Sequence, residues 1–433
     1  MVMMKKYIFN DVDIRQGKWI SGFRIVLTSM CFFLSIGFAL PSQGEEYESS
    51  AILKLGDVID DSEFNDALYK VDEDVHNDGF LNRYKVISEF GEWDVNSTVL
   101  LKLRLREIDA IAKMREIDEE ESADGAIEED VDQVKDGVSG LIEEPAGAIK
   151  GAASGVGKLF ELGGESWKSR HTREDESQMQ SLGKAVSGYD KAWRKYAGDF
   201  GVDPYSSNLV LQEELDRLAT AAAQGSVFII AAKSLIPGGL GFAVSATGMT
   251  QALNEVLITS SEVELRIINR EKMLGMKIDP ELVERYLDDN SSSSTYKTYL
   301  VGALETMGGV KGRHHFIEHA LDSPSEDVSI FRATSAIMYA WYHKQVQSIE
   351  RFERANTIAV AVDTGNQLVI QLPLDHVLWT ESLDLALASI DESIGLSQDY
   401  SNKLLMLPGT LSEHAKKEVE ERDWVVTEKV KLD

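Results

Sequence analysis

Cysteine is nearly absent: one residue, Cys31, in a chain of 433. It lies within the uncharged run IVLTSMCFFLSIGFAL, residues 25–40, so the rest of the chain can form no disulfide and no thiolate metal site. Lipidation of Cys31 is not supported, because Thr28 and Met30 stand where leucine and a small residue are required. There is no G-x-S-x-G, which removes the usual signature of an acyl hydrolase, and no phosphate-binding loop. Basic residues are also in deficit, 44 against 73 acidic ones, for a formal net charge of −29. That field repels phosphate backbones, so nucleic acid is excluded as a natural partner, and it disfavours anionic lipid surfaces.

The apolar run at 25–40 follows Lys5, Lys6, Arg15, Lys18 and Arg24 and precedes Pro41, the layout of a secretory signal peptide. Ser42 and Gly44 place cleavage after Gly44, with Ala39 as the alternative. An uncleaved anchor is the competing reading, although sixteen residues are short for a span. Removing the leader takes the net charge to −32. The expected location is the periplasm or the medium.

Five segments follow from composition and periodicity: a signal peptide, 1–44; an N-terminal α+β unit, 45–115; an acidic and glycine-rich connector, 116–175; a helical domain, 176–355; and a C-terminal α/β module, 356–433. The expected fold class is α+β, predominantly helical. YKVISEFGEWDV from Tyr84 predicts two short strands joined at Gly91, and 99–117 turns to helical spacing. Residues 116–132 hold ten acids and no base, a solvated linker that lacks the register of an EF-hand. In 135–164, Gly147, Gly151 and Gly155 would share one helical face, but Glu143, Glu144, Lys150, Lys158 and Glu161 rule out a bilayer span.

In the helical domain, Asn208 caps a helix that runs to Pro237, and a second apolar helix, 240–257, returns along it as an αα-hairpin. A pore-forming hairpin over 225–257 is disfavoured by Lys233, which costs about 2.5 to 3.5 kcal/mol in a bilayer, so this hairpin is expected to be core. Capping signals at Ser261 with Glu264, at Asp279–Pro280, at Ser294 or Thr295, and at Ser323–Pro324 with Glu326 start further helices, the last running to about Phe352. In the C-terminal module, TIAVAVDTGNQLVIQLPL from Thr357 predicts a hairpin. A strand at 404–407, a helix over 411–422 opened by Thr410 and Glu413, and a strand over 424–430 follow. Pro408–Gly409–Thr410 could bind an anion through backbone N–H groups, yet a tight strand-to-helix turn explains it fully.

One stretch has metal-ligating spacing. In HHFIEH, His315 and His319 are four apart and could reach one zinc or iron ion, with His314, Glu326 or His343 as a third ligand and Glu318 as a further oxygen donor. It is not H-E-x-x-H, since Phe316 follows His315.

FGVDPYSSNLVLQEELDRL, residues 200–218, with the preceding GAIKGAASGVGKLF, resembles a family of uncharacterised exported bacterial proteins without an assigned activity. The resemblance implies export from a bacterial cell and supplies no site residues. The expected function is that of an exported non-catalytic protein acting through contacts with a partner protein or a membrane surface, with no cofactor. The alternative is a metal-dependent hydrolase built on the His314 to His319 cluster.

Overall fold

The computed structural model describes residues 47–59, 67–117, 188–223, 248–322, 325–355, 358–395 and 400–431. The expected leader, nearly all of the acidic run, the glycine-rich segment, Lys233, the Pro-Gly-Gly sequence and Ser323–Pro324 lie outside these residues. Within them the chain is α+β and predominantly helical, 54% helix and 20% strand.

The N-terminal sheet is antiparallel. It comprises β1 (Ile52–Lys54), β2 (Tyr69–Val71), β3 (Asp74–Asn77), β4 (Asn82–Ser88) and β5 (Gly91–Asn96), with a single helical turn, α1 (Leu55–Val58), after β1. Strand β4 is central, flanked by β5 on one side and by β3 and β2 end to end on the other. Strict alternation in β4 buries Asn82, Tyr84 and Val86 and exposes Arg83 and Lys85, as a sheet with one wet face requires. Helix α2 (Thr98–Arg115) starts at Ser97, whose hydroxyl accepts from the Leu100 N–H.

The middle of the chain is helical: α3 (Gly188–Asp199), α4 (Leu209–Ala223), α5 (Gly248–Thr259), α6 (Glu262–Gly275), α7 (Pro280–Asp288), α8 (Ser294–Thr306), α9 (His314–Asp322) and α10 (Glu326–Gln345). Helix α8 is the axis of this part, with every residue from Thr295 to Leu304 buried. At Gly302 the α5 side chain Leu253 comes so close that an added Cβ would lie 2.4 Å from its Cδ2. The capping box of Ser261 and Glu264 forms as expected, and Asp279 with Pro280 opens α7. The expected helical hairpin is described only in part, and α5 buries Leu253, Val256 and Leu257 in the main core.

The C-terminal sheet runs β12-β10-β8-β7-β6, from β6 (Ile349–Ala355), β7 (Ile358–Asp363), β8 (Gln367–Gln371), β10 (Asn402–Met406) and β12 (Trp424–Thr427). The first three strands form an antiparallel meander; β8, β10 and β12 are parallel, joined through α11 (Glu381–Gly395) and α12 (Glu413–Glu421). A short parallel pair, β9 (His376–Val377) with β11 (Thr410–Leu411), lies beside them.

Several expected boundaries move. Helix α10 begins at Ser325, whose hydroxyl accepts from the Val328 N–H, and ends at Gln345 rather than near Phe352. The residues beyond it are β6, so the C-terminal sheet starts ahead of position 356. A register shift between Ile349 and Arg351 leaves Ile349, Phe352 and Ala355 buried at intervals of three, a spacing that imitates a helix. Ser293, one residue before the expected position, caps α8. Ser412 rather than Thr410 caps α12, because Thr410 is engaged in β11 and its hydroxyl bonds His376 Nδ1 at 2.8 Å. Gly409 sits in a tight turn: its N–H donates to Leu374 O, and a Cβ there would lie 1.8 Å from Asp375 O.

Candidate functional site

Histidines 314, 315 and 319 all fall on α9, but the helix turns them to different surroundings. His315 Nδ1 lies 3.0 Å from Glu318 Oε2, and the His314 ring stacks obliquely on the His315 ring, centroids 4.1 Å apart. One ligand atom from each of His314, His315 and Glu318 falls within 4.8 Å of the other two. His319 does not belong to this group; it faces the interior, 1% exposed.

The candidate third ligands are engaged elsewhere. His343 Nδ1 accepts the Ile349 N–H at 2.9 Å, which fixes that nitrogen as an acceptor and ties the end of α10 to β6. Burial pushes His343 below the usual histidine range, in keeping with that role. Glu326 lies in the first turn of α10 near Arg104 and Ser207, in a separate polar cluster. The structure thus gathers His314, His315 and Glu318 and leaves His319, His343 and Glu326 outside. Burial, and then the neighbouring His315, holds His314 low. Burial raises Glu318, but the His315 hydrogen bond, His314 and Arg354 outweigh it and keep its carboxyl below the usual range. At neutral pH His314 and Glu318 are therefore in the protonation states that ligate cations.

A second constellation carries no motif. The run Asp203–Asn208, part of the stretch that bears the family resemblance, works as a polar hub. Asp203 Oδ1 accepts from the Tyr205 N–H at 2.8 Å and from the Thr295 hydroxyl at 2.6 Å. Glu107, fully enclosed on α2, receives Ser206 Oγ at 2.5 Å, Asn208 Nδ2 at 3.0 Å and the Arg104 guanidinium at 2.5 Å. The Tyr205 hydroxyl donates to Ser260 O ahead of α6. Through six residues the hub joins α2, α6, α8 and α10. Burial pushes Asp203 up to about 7; its two hydrogen bonds oppose the shift, and the Glu107 and Glu326 carboxylates add to it. Burial likewise raises Glu326, against the Ser207 hydrogen bond and Arg104.

A third carboxylate, the half-buried Asp375, links the two sheets. It accepts the Asn82 N–H at 2.9 Å and the Thr98 N–H at 3.1 Å, and burial pushes it up to about 6. One signal for Glu107 was available: it follows Arg104 by three positions within the apolar face that includes Leu100 and Ile111, where an ion must have partners. Asp203 has one local partner, the Tyr205 N–H two residues on, but its other partner, Thr295, is 92 residues away, and Asn82 is 293 residues from Asp375.

Between β5, α2 and α10 a cleft lined by Leu81, Leu100, Ile330, Phe331 and Pro373 leaves about 10 Å³, room for one water. Asn96 and Asp327, which also line it, bond to each other at 3.1 Å. Comparison with family models, curated proteins and solved structures finds no match for this chain.

Proposed function

We propose that this is an exported bacterial protein that performs no chemistry of its own and acts by contact, with a protein partner favoured over a lipid surface. One observation carries the reading: the carboxylates whose protonation is most displaced, Asp203 and Asp375, point inward and are held by the chain's own hydroxyl and N–H donors. Groups arranged in this way hold a scaffold together. The net charge of −29 argues against anionic lipid, and no helix among the described residues is long and apolar enough to cross a membrane. Border strand β12, with Val425 47% exposed, offers a natural place for a protein to add a strand.

Flotation with zwitterionic and with anionic vesicles tests the preference, and the chain is expected to stay at the bottom with both. Flotation that is lost on deleting residues 137–164 would transfer the role to the membrane. A photo-crosslinker at Val425 should trap a discrete species in an envelope extract; no adduct there, alongside flotation, removes the protein-partner reading. The alternative, a hydrolase with His315 and His319 on one ion, loses support from the burial of His319 away from the His314–His315–Glu318 group.

A further inference from the structure

We infer that His314, His315 and Glu318 form a site for one zinc ion, independent of the contact role and with a ligand set different from the helical i, i+4 histidine pair. Three donors of suitable type converge on one surface of the first turns of α9, with ligand atoms within 4.8 Å of one another. Bonds of about 2.0 to 2.2 Å in a tetrahedral shell place neighbouring ligand atoms a little over 3 Å apart. His315 Nδ1 and Glu318 Oε2 already stand at 3.0 Å. The proton that bridges them can move to Nε2 of the same ring, and the ion takes its place between nitrogen and oxygen. The His314 ring already lies against that of His315, with a ligand nitrogen within 4.8 Å of the other two donor atoms.

Two imidazoles and one carboxylate suit zinc, and the half-buried setting of all three side chains leaves a fourth position for water. Two features oppose the ion. Arg354 is close enough to act on the Glu318 carboxylate, and His314 begins the helix, where the backbone dipole is positive. Both weaken the site without removing a ligand, so its affinity falls below that of buried structural zinc sites. Before the ion enters, the contact with Glu318 holds the His315 ring in place.

The test is titration of the full, untagged chain with zinc chloride by calorimetry, with bound zinc counted by elemental analysis after dialysis. One saturable equivalent is expected in the native chain. The double variant His314→Ala/His315→Ala should lose it, and Glu318→Gln should weaken it by at least roughly tenfold. His319→Gln should leave the affinity unchanged. Circular dichroism verifies folding; should the double variant misfold, Glu318→Gln alone decides the matter, since that side chain is 35% exposed. No saturable zinc in the folded native chain, equal affinity in a folded double variant or in Glu318→Gln, or loss confined to a folded His319→Gln would each overturn the assignment.

Discussion

Asp375 is a half-buried carboxylate and Asp203 a buried one, and the chain holds them in different ways. Asp375 is held by the backbone N–H groups of Asn82 and Thr98 and by the Thr98 hydroxyl, and the like charge acting on it is Asp78. Asp203 has one backbone donor and one hydroxyl, and it shares its neighbourhood with Glu107 and Glu326. Burial lifts the first to about 6 and the second to about 7. In both, burial outweighs the hydrogen bonds that favour the ion, and at Asp203 two adjacent carboxylates add to the penalty where Asp375 has one. Asp375 acts as a clamp between two sheets, and Asp203 as a partly frustrated centre of the helical part.

The sharpest way to test the contrast is pH. A carboxyl with a raised folded pKa binds more protons in the native state, so its contribution is fully present below about 4 and is lost as pH rises to the folded value. For Asp203 the window is roughly pH 4 to 7, and the loss is up to about 4 kcal/mol. In Asp203→Asn the amide oxygen can still accept both bonds. The stability difference between variant and native chain, from urea unfolding at several pH values, should therefore move in the variant's favour across that window and level off above it. A constant difference would mean that Asp203 titrates as an ordinary carboxyl.

Breaking the clamp should cost somewhat less. Gly409→Ala forces a Cβ against Asp375 O and Leu374 O, and with no side chain to yield, a loss of about 3 kcal/mol is expected in urea unfolding. Asp375→Ala leaves two partly buried N–H groups without their acceptor, about 2 kcal/mol, and amide exchange at Asn82 and Thr98 should quicken. The smallest effect belongs to the periphery of the hub. Ser261→Ala removes a capping box just beyond the carbonyl that receives Tyr205, and about 1 kcal/mol is expected by thermal unfolding. A larger loss at Ser261 than at Asp375 would reverse the ranking of the two regions.

Local signals make much of the architecture legible. Alternation around Gly91 marks β4 and β5, the Ser261 and Asp279 caps mark α6 and α7, and the hairpin at Asp363–Asn366 marks β7 and β8. Each of these rests on contacts within a few residues. Strand β6 reads as helix because its bulge gives a threefold burial rhythm, a property of its pairing with β7 that composition does not carry. Helix α11 carries a quieter mark: Thr380, whose hydroxyl accepts the Leu383 N–H at 3.2 Å, has Leu383 three residues on, where Glu264 completes the capping box at Ser261. Of the candidate site, the histidine stretch is visible, but which histidine joins Glu318 depends on how α9 is docked, and His319 goes to the core side. The hub is legible only at the Arg104–Glu107 pair and the Asp203–Tyr205 turn; the bonds that join these, from Ser206 and Asn208 to Glu107 and from Thr295 to Asp203, are long-range.

The first described residues make bonds that bear on the order in which the molecule can assemble. Glu48 receives the Trp379 N–H and the Ser412 hydroxyl, and the Tyr47 hydroxyl reaches Asp384, across separations of 331, 364 and 337 residues. A chain emerging from its start cannot complete these bonds until nearly its whole length is available. Strand β1 can pair with β3 early, but Tyr47 and Glu48 must wait for the final helices, so their docking depends on the last residues to appear. Cutting the chain short by a few tens of residues would therefore disturb its beginning as much as its end.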